Sequence, residues 1–255
     1  MNEFNLIAKL RRLAAKQTIR RREAVYEKDG HRLKYLYLAG KRRDRLLVVF
    51  SAFPGPHGAA GYNMVATFAG ADVSRLYILD DFGDEARGAY YLSESGDFYV
   101  ASLVDDLLSR FMPQDGKTYF VGSSKGGYAA LYFGIRRGAD YVVSGAPQYY
   151  IGSYLMASGH APVLAAMAGD TEKETIACYD KLLPDLIAAP HEKKPLVVLH
   201  YSEKEPTFGA HIQYLLSDLR AHGYTVRTDT EEYTAHSDVA KFFPQLCCRI
   251  LKEYK

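Results

Sequence analysis

Apolar residues recur along this chain in two alternating rhythms. Residues 3–17 place Leu6, Leu10, Leu13 and Ala14 at helical spacing, which predicts an amphipathic helix. Two strand-like runs follow, 24–28 and 33–38, parted by a segment containing Asp29-Gly30, a hairpin signal. Residues 46–50 (Leu46, Leu47, Val48, Val49, Phe50) are continuously apolar, the mark of a strand buried on both faces. A loop rich in Gly, Pro and Ala spans 51–62. The alternation then becomes regular. Strands are predicted at 76–79, 118–122, 141–144, 196–200 and 224–227. Helices are predicted at 99–111, 126–136, 211–222 and 238–253, the last kinked at Pro244. Strands alternating with helices imply an α/β domain with a mostly parallel central sheet, helices on both faces and an N-terminal antiparallel hairpin.

One stretch breaks the rhythm. Residues 148–190 separate two core strands by more than a simple crossover needs. They read as a helical insertion or lid over the site, with one helix at 172–183 stopping before Pro184. Two crossover helices and a loop are the alternative. The whole chain, 1–255, reads as a single domain.

Composition changes this picture little. Apolar residues make up 48% and charged residues 24%, as in a globular domain, and a net charge of +2 requires no nucleic-acid partner. The three cysteines, Cys178, Cys247 and Cys248, cannot all pair within one chain and show no metal-binding spacing, which points to a reducing compartment. No cleavable leader is read at the start and no run approaches a membrane span, so a cytoplasmic protein is expected. The 21 tyrosines either fill core edges or line a polar groove with aromatic faces suited to sugars. Charge is informative at the first helix, where Lys9, Arg11, Arg12, Lys16, Arg20, Arg21 and Arg22 form a basic face. That face is either solvated, with the helix docked on the domain, or a peripheral contact for an anionic membrane surface or polymer.

Candidate chemistry centres on Gly122-Ser123-Ser124-Lys125-Gly126-Gly127. Gly122-x-Ser124-x-Gly126 is a G-x-S-x-G pattern with an apolar strand running in and a helical pattern running out, the setting of a nucleophile elbow in an α/β-hydrolase fold. The tight turn needs small neighbours, and the Ser124 hydroxyl would project at a helix N-terminus. A Ser N-cap at a glycine-rich turn is the structural alternative. Ser123 occupies an x position and should point elsewhere. A nucleophilic serine needs a base and an orienting acid, and in this fold the acid precedes the histidine. His236, between the last strand and last helix, suits the base. His31, His57 and His160 precede the acid region, while His191, His200, His211 and His222 fit less well. Glu203 and Glu205 follow the penultimate strand and are both candidate acids, with Asp229 and Glu231 behind them. Two backbone N–H groups should form the oxyanion hole: Lys125, after the nucleophile, and Phe53 or Ala52 in the loop after residues 46–50. The Lys125 side chain adds a cation that is either solvated or available to an anionic donor such as the phosphate of coenzyme A. Nothing calls for a metal.

These segments resemble a bacterial group, the capsular polysaccharide biosynthesis proteins of the XcbB/CpsF type and, more distantly, the acetyltransferase-like proteins of the accessory Sec secretion system. The resemblance is carried by Asp80-Asp81-Phe82-Gly83, Ala89-Tyr90-Tyr91-Leu92, the Gly-Ser-Ser-Lys-Gly-Gly run, and residues 202–211 (Ser-Glu-Lys-Glu-Pro-Thr-Phe-Gly-Ala-His). It implies an α/β-hydrolase fold with a Ser–acid–His triad in which Ser124 is nucleophile, Glu205 the acid and His236 the base. Glu-Lys-Glu-Pro also looks like the E-K-D-P turn of many hydrolases, with Glu205 on the acid. The resemblance further implies a serine acyltransferase that O-acetylates a glycan from acetyl-CoA. No bound cofactor is expected, and the basic N-terminal helix is a candidate peripheral contact for the membrane or capsule-assembly machinery. An esterase or deacetylase using water is the alternative. The 80–83 and 90–92 segments would lie near the site, with no role assigned.

Overall fold

The computed structural model describes residues 3–55 and 58–253. β1 (Glu23–Lys28) and β2 (His31–Leu38) form the expected antiparallel hairpin, closed by Asp29 and Gly30 at φ 51° and 81°. Positive φ at both turn residues matches the twist of the flanking strands, and Asp-Gly tolerates it. β2 also pairs antiparallel with β4 (Val73–Ile78). β3 (Arg42–Phe50) lies between β4 and β5 (Lys117–Ser123), parallel to both. The parallel set continues through β6 (Tyr141–Gly145), β7 (Leu196–Tyr201) and β8 (Val226–Thr230), giving the order β1-β2-β4-β3-β5-β6-β7-β8.

The apolar run in β3 divides as strand geometry requires. Leu46, Val48 and Phe50 enter the core on one face, Leu47 and Val49 the core on the other. Side chains of α2 (Tyr99–Phe111) and α3 (Lys125–Arg136) cover the first face, and α8 (Val239–Glu253) the second. Tyrosine serves mainly as core: Tyr77, Tyr90, Tyr91, Tyr128 and Tyr149 are all buried.

Several elements depart from the sequence reading. The 148–190 stretch folds as three helices, α4 (Ile151–Ala157), α5 (Ala161–Ala168) and α6 (Lys173–Ala188), between the adjacent parallel strands β6 and β7. α6 does not stop before Pro184. Leu183 and Ile187 are fully buried on either side of it. Burying two such side chains stabilises by roughly 1.5–3 kcal/mol each, which offsets the roughly 3 kcal/mol cost of proline in a helix. α8 likewise continues through Pro244. The helix expected at 211–222 begins as a π-helical turn, Phe208–Ile212, before α7 (Gln213–Ala221). β8 starts later than the pattern implied because Tyr224 closes α7, donating its N–H to the Leu219 carbonyl at 2.9 Å.

The first helix, α1 (Glu3–Arg22), also differs. It meets the second core through Ala15 and Ile19 rather than through the apolar stripe. Ile7, Leu10 and Leu13 are 49%, 56% and 54% exposed.

Candidate active site

The C-terminal ends of β3, β5, β6 and β7, with the loop after β8, converge on one place, the usual position of a site in a parallel sheet. Ser124 sits between β5 and α3 at φ 54°, ψ −125°, a conformation unfavourable for a residue with a side chain. The turn closes so tightly that a Cβ on Gly122 would lie 2.1 Å from the Gly126 carbonyl oxygen, and one on Gly126 2.4 Å from that of Phe50. The Ser124 N–H donates to the Gly145 carbonyl on β6 at 2.8 Å, which anchors the strained residue to the sheet.

Three of the sequence candidates meet here. His236 Nε2 lies 2.8 Å from Ser124 Oγ, and His236 Nδ1 lies 2.5 Å from Glu205 Oε1. A carboxylate can only accept, so Nδ1 carries the proton and Nε2 is left to accept the Ser124 O–H. The Glu205 side chain is 1% exposed, and its Oε1 also accepts the Thr207 hydroxyl at 2.6 Å. Oε2 is buried with no partner among the described residues, which leaves Oε1 as the oxygen that meets the imidazole. Glu203 is exposed and does not reach His236. Asp229 pairs with His200 at 2.7 Å, away from Ser124. His57 lies outside the described residues.

The donors of the expected oxyanion hole are separated by their existing bonds. Ala52 N–H is occupied by Asn63 Oδ1 at 2.7 Å. The N–H groups of Lys125 and Phe53 have no acceptor among the described residues.

The Lys125 side chain corrects both readings offered for it, solvated or free for a ligand. It is 1% exposed, and its Nζ lies 2.6 Å from Asp80 Oδ2, whose side chain is 0% exposed. Burial pulls its pKa below the ordinary lysine value, against the raising effect of Asp80. Asp80 also accepts the N–H groups of Ala89 at 2.9 Å and Tyr91 at 3.1 Å, holding Tyr90 and Tyr91 at φ 54° and 60°. The Tyr91 hydroxyl in turn accepts the Ser51 N–H at 2.6 Å. One buried ion pair therefore links the elbow, the 89–91 segment and the loop carrying Phe53.

A residue absent from the sequence reading completes the surroundings. Gln148, after β6, is 0% exposed, and its Nε2 donates to Ser124 Oγ at 3.2 Å. Its Oε1 accepts the Tyr90 hydroxyl at 3.2 Å, which fixes the amide orientation. Nothing local in Pro147-Gln148-Tyr149 signals this, because the contact spans 24 residues.

No family model matches the sequence, and comparison with curated proteins finds no match. Solved structures do match. The capsule O-acetyltransferase of Neisseria meningitidis serogroup A superposes with a TM-score of 0.73 at 21% identity, covering 89% of this chain and 94% of that one. Esterase B from Lactobacillus rhamnosis gives 0.60 at 15% identity, covering 99% and 96%. The chain has the α/β-hydrolase fold. The Gap123 glycosylation-associated complex of Streptococcus agalactiae gives 0.71 at 15% identity, with 90% of this chain covered but 46% of that one. Within this fold the similar proteins include enzymes of acyl transfer and of ester hydrolysis. No helix among the described residues is long and apolar enough to cross a membrane.

Proposed function

We propose that the protein is a serine acyltransferase that O-acetylates a capsular or other cell-surface polysaccharide from acetyl-CoA. The observation that carries this is Ser124 Oγ held 2.8 Å from His236 Nε2, with His236 held in turn by buried Glu205. His236 takes the Ser124 proton as Oγ attacks the thioester carbonyl, and the N–H groups of Lys125 and Phe53 receive the oxyanion. The C–S bond breaks, and the departing thiolate takes the proton from His236. A sugar hydroxyl then gives its proton to His236 as its oxygen attacks the acyl-serine, and Ser124 recovers its proton. Glu205 keeps the imidazole in the accepting tautomer and stabilises the imidazolium. Gln148 donates to Oγ while negative charge develops there. The fold-level likeness to a capsule O-acetyltransferase, one mutant of which holds CoA, supports the choice of acetyl and of donor.

The alternative is an esterase or deacetylase with water as acceptor. The His236 side chain is 33% exposed, so solvent reaches the base. Incubation with acetyl-CoA, with and without a capsule-type oligosaccharide, separates the two. Transfer predicts CoA release that depends on the sugar and vanishes in Ser124→Ala; sugar-independent hydrolysis of a simple acetyl ester favours the esterase. Either activity surviving in Ser124→Ala overturns both.

A cytoplasmic reaction at the inner face of the membrane fits this reading, since acetyl-CoA is a cytoplasmic metabolite. The exposed Ile7, Leu10 and Leu13, flanked by Lys9, Arg12, Lys16 and Arg20, support peripheral contact with an anionic lipid surface. Two copies pairing through this helix would bring like charges together. Cosedimentation with phosphatidylglycerol vesicles, absent with phosphatidylcholine and lost in Leu10→Asp/Leu13→Asp, is the expected result. Equal sedimentation with both vesicle types would refute it.

A further inference from the structure

With Lys125 committed to Asp80, the site needs another cation if its substrate is anionic. Arg87, in the turn between β4 and α2, is placed to be one. Its side chain is half-buried, and its Nε is out of solvent with no hydrogen-bond partner among the described residues. The carboxylates of the same chain segment have other partners. Asp80 holds Lys125, Asp81 holds Lys34 at 2.5 Å, and Glu94 accepts the Gly83 N–H at 2.6 Å and the Tyr99 hydroxyl. Asp84 and Glu85, in the same turn, form no ion pair with it. A guanidinium drawn partly out of water without a counter-ion is unfavourable unless a ligand supplies the anion.

Its neighbours place it on the rim of the Ser124 site. A Cβ on the next residue, Gly88, would lie 2.0 Å from Lys125 Nζ. Two residues further on, Tyr90 orients Gln148. His160, just before α5, lies within electrostatic reach of Arg87. Its pKa is held below the ordinary histidine value, first by burial and then by the Arg87 charge. The His160 ring stacks on Phe53, centroids 5.6 Å apart.

We propose that Arg87, with His160 and the Phe53 ring beside it, recognises a phosphate ester at the rim of the site. This rests on the acyl-transfer reading. A planar guanidinium suits phosphate oxygens, which it can engage in pairs. The phosphate belongs either to the CoA portion of the donor or to a phosphate-bearing glycan acceptor.

Calorimetric titration of the non-turning Ser124→Ala protein tests this, with and without Arg87→Gln. The ligands are CoA, pantetheine, a phosphodiester-linked oligosaccharide and a neutral one. Loss of a charged hydrogen bond should weaken binding of the phosphate ligand roughly 10- to 100-fold and leave its phosphate-free counterpart unchanged. Loss confined to CoA identifies the donor; loss confined to the phosphodiester identifies the acceptor. Arg87→Lys should recover only part, because an ammonium lacks the planar fork. Equal affinities with and without Arg87→Gln overturn the inference, as does failure of both phosphate ligands to bind the parent. Fluorophosphonate labelling of Ser124 in the otherwise unaltered protein keeps the two readings apart. A reactive Ser124 with unchanged phosphate binding removes only the role of Arg87, whereas an unreactive Ser124 removes the acyl-enzyme.

Discussion

Two histidine–carboxylate pairs lie near the C-terminal ends of neighbouring strands. His236 and Glu205 are 2.5 Å apart, His200 and Asp229 2.7 Å. The difference lies at the second ring nitrogen. His236 Nε2 faces the Ser124 hydroxyl, and its side chain is 33% exposed. His200 Nε2 is buried with no partner among the described residues, its ring near those of Tyr233, Phe242 and Phe243, and Asp229 is shared with Arg249. A carboxylate beside an imidazole does not make a base; an accessible nucleophile on the other nitrogen does.

The comparison can be broken most severely at the first pair. Ser124→Ala or His236→Ala should lower kcat for acyl transfer by about 10⁵- to 10⁶-fold, and the double variant hardly more, because the residues act as one unit. Steady-state kinetics with the double variant checks this, and additive losses would refute it. Glu205→Gln should cost about 10⁴-fold by removing the carboxylate that sets the tautomer. Glu203→Gln, at an exposed position, should stay within about twofold on the same assay. A larger loss at Glu203 than at Glu205 would reverse the assignment of the acid.

The remaining tests read stability. Asp80→Asn leaves the Lys125 ammonium buried without its counter-ion and should destabilise by about 3–5 kcal/mol in urea unfolding. His200→Ala opens space in the core and strips Asp229 of one partner, at about 2–4 kcal/mol. Acylation of Ser124 should proceed normally in the folded His200→Ala protein; a loss comparable to that of His236→Ala would erase the distinction between the pairs.

His211 gives the smallest effect. Burial lowers its pKa to about 4, against an ordinary value of 6.5. The unfolded chain therefore binds the extra proton first as pH falls. Stability supported by the neutral ring is intact above about pH 6.5 and declines towards pH 4, by about 2 kcal/mol between pH 7 and pH 5. His211→Asn should flatten that part of the unfolding profile. An unchanged slope would refute the assignment.

Legibility followed the distance over which each feature is decided. The parallel sheet, the hairpin and the turn around Ser124 are written in consecutive residues. A tight turn needs glycine at Gly122 and Gly126, and doubly buried strands need unbroken apolar runs. The 80–83 and 89–92 segments are legible only through a resemblance, because their part depends on Asp80 binding Lys125 across 45 residues. Helix ends depart from local preference where burial outweighs it, as at Pro184.

The sequence by itself determined the α/β alternation, the strained turn at residue 124 and an order of candidates running from nucleophile to acid to histidine. Tertiary structure decided which carboxylate faces His236, that Gln148 donates to Ser124 Oγ, and that the lysine beside it is buried in an ion pair while Arg87 has no carboxylate partner among the described residues. Local patterns are fixed by steric fit and hydrophobic periodicity within a few residues. Which charges meet, and which remain free, depends on the packing of segments far apart in the chain.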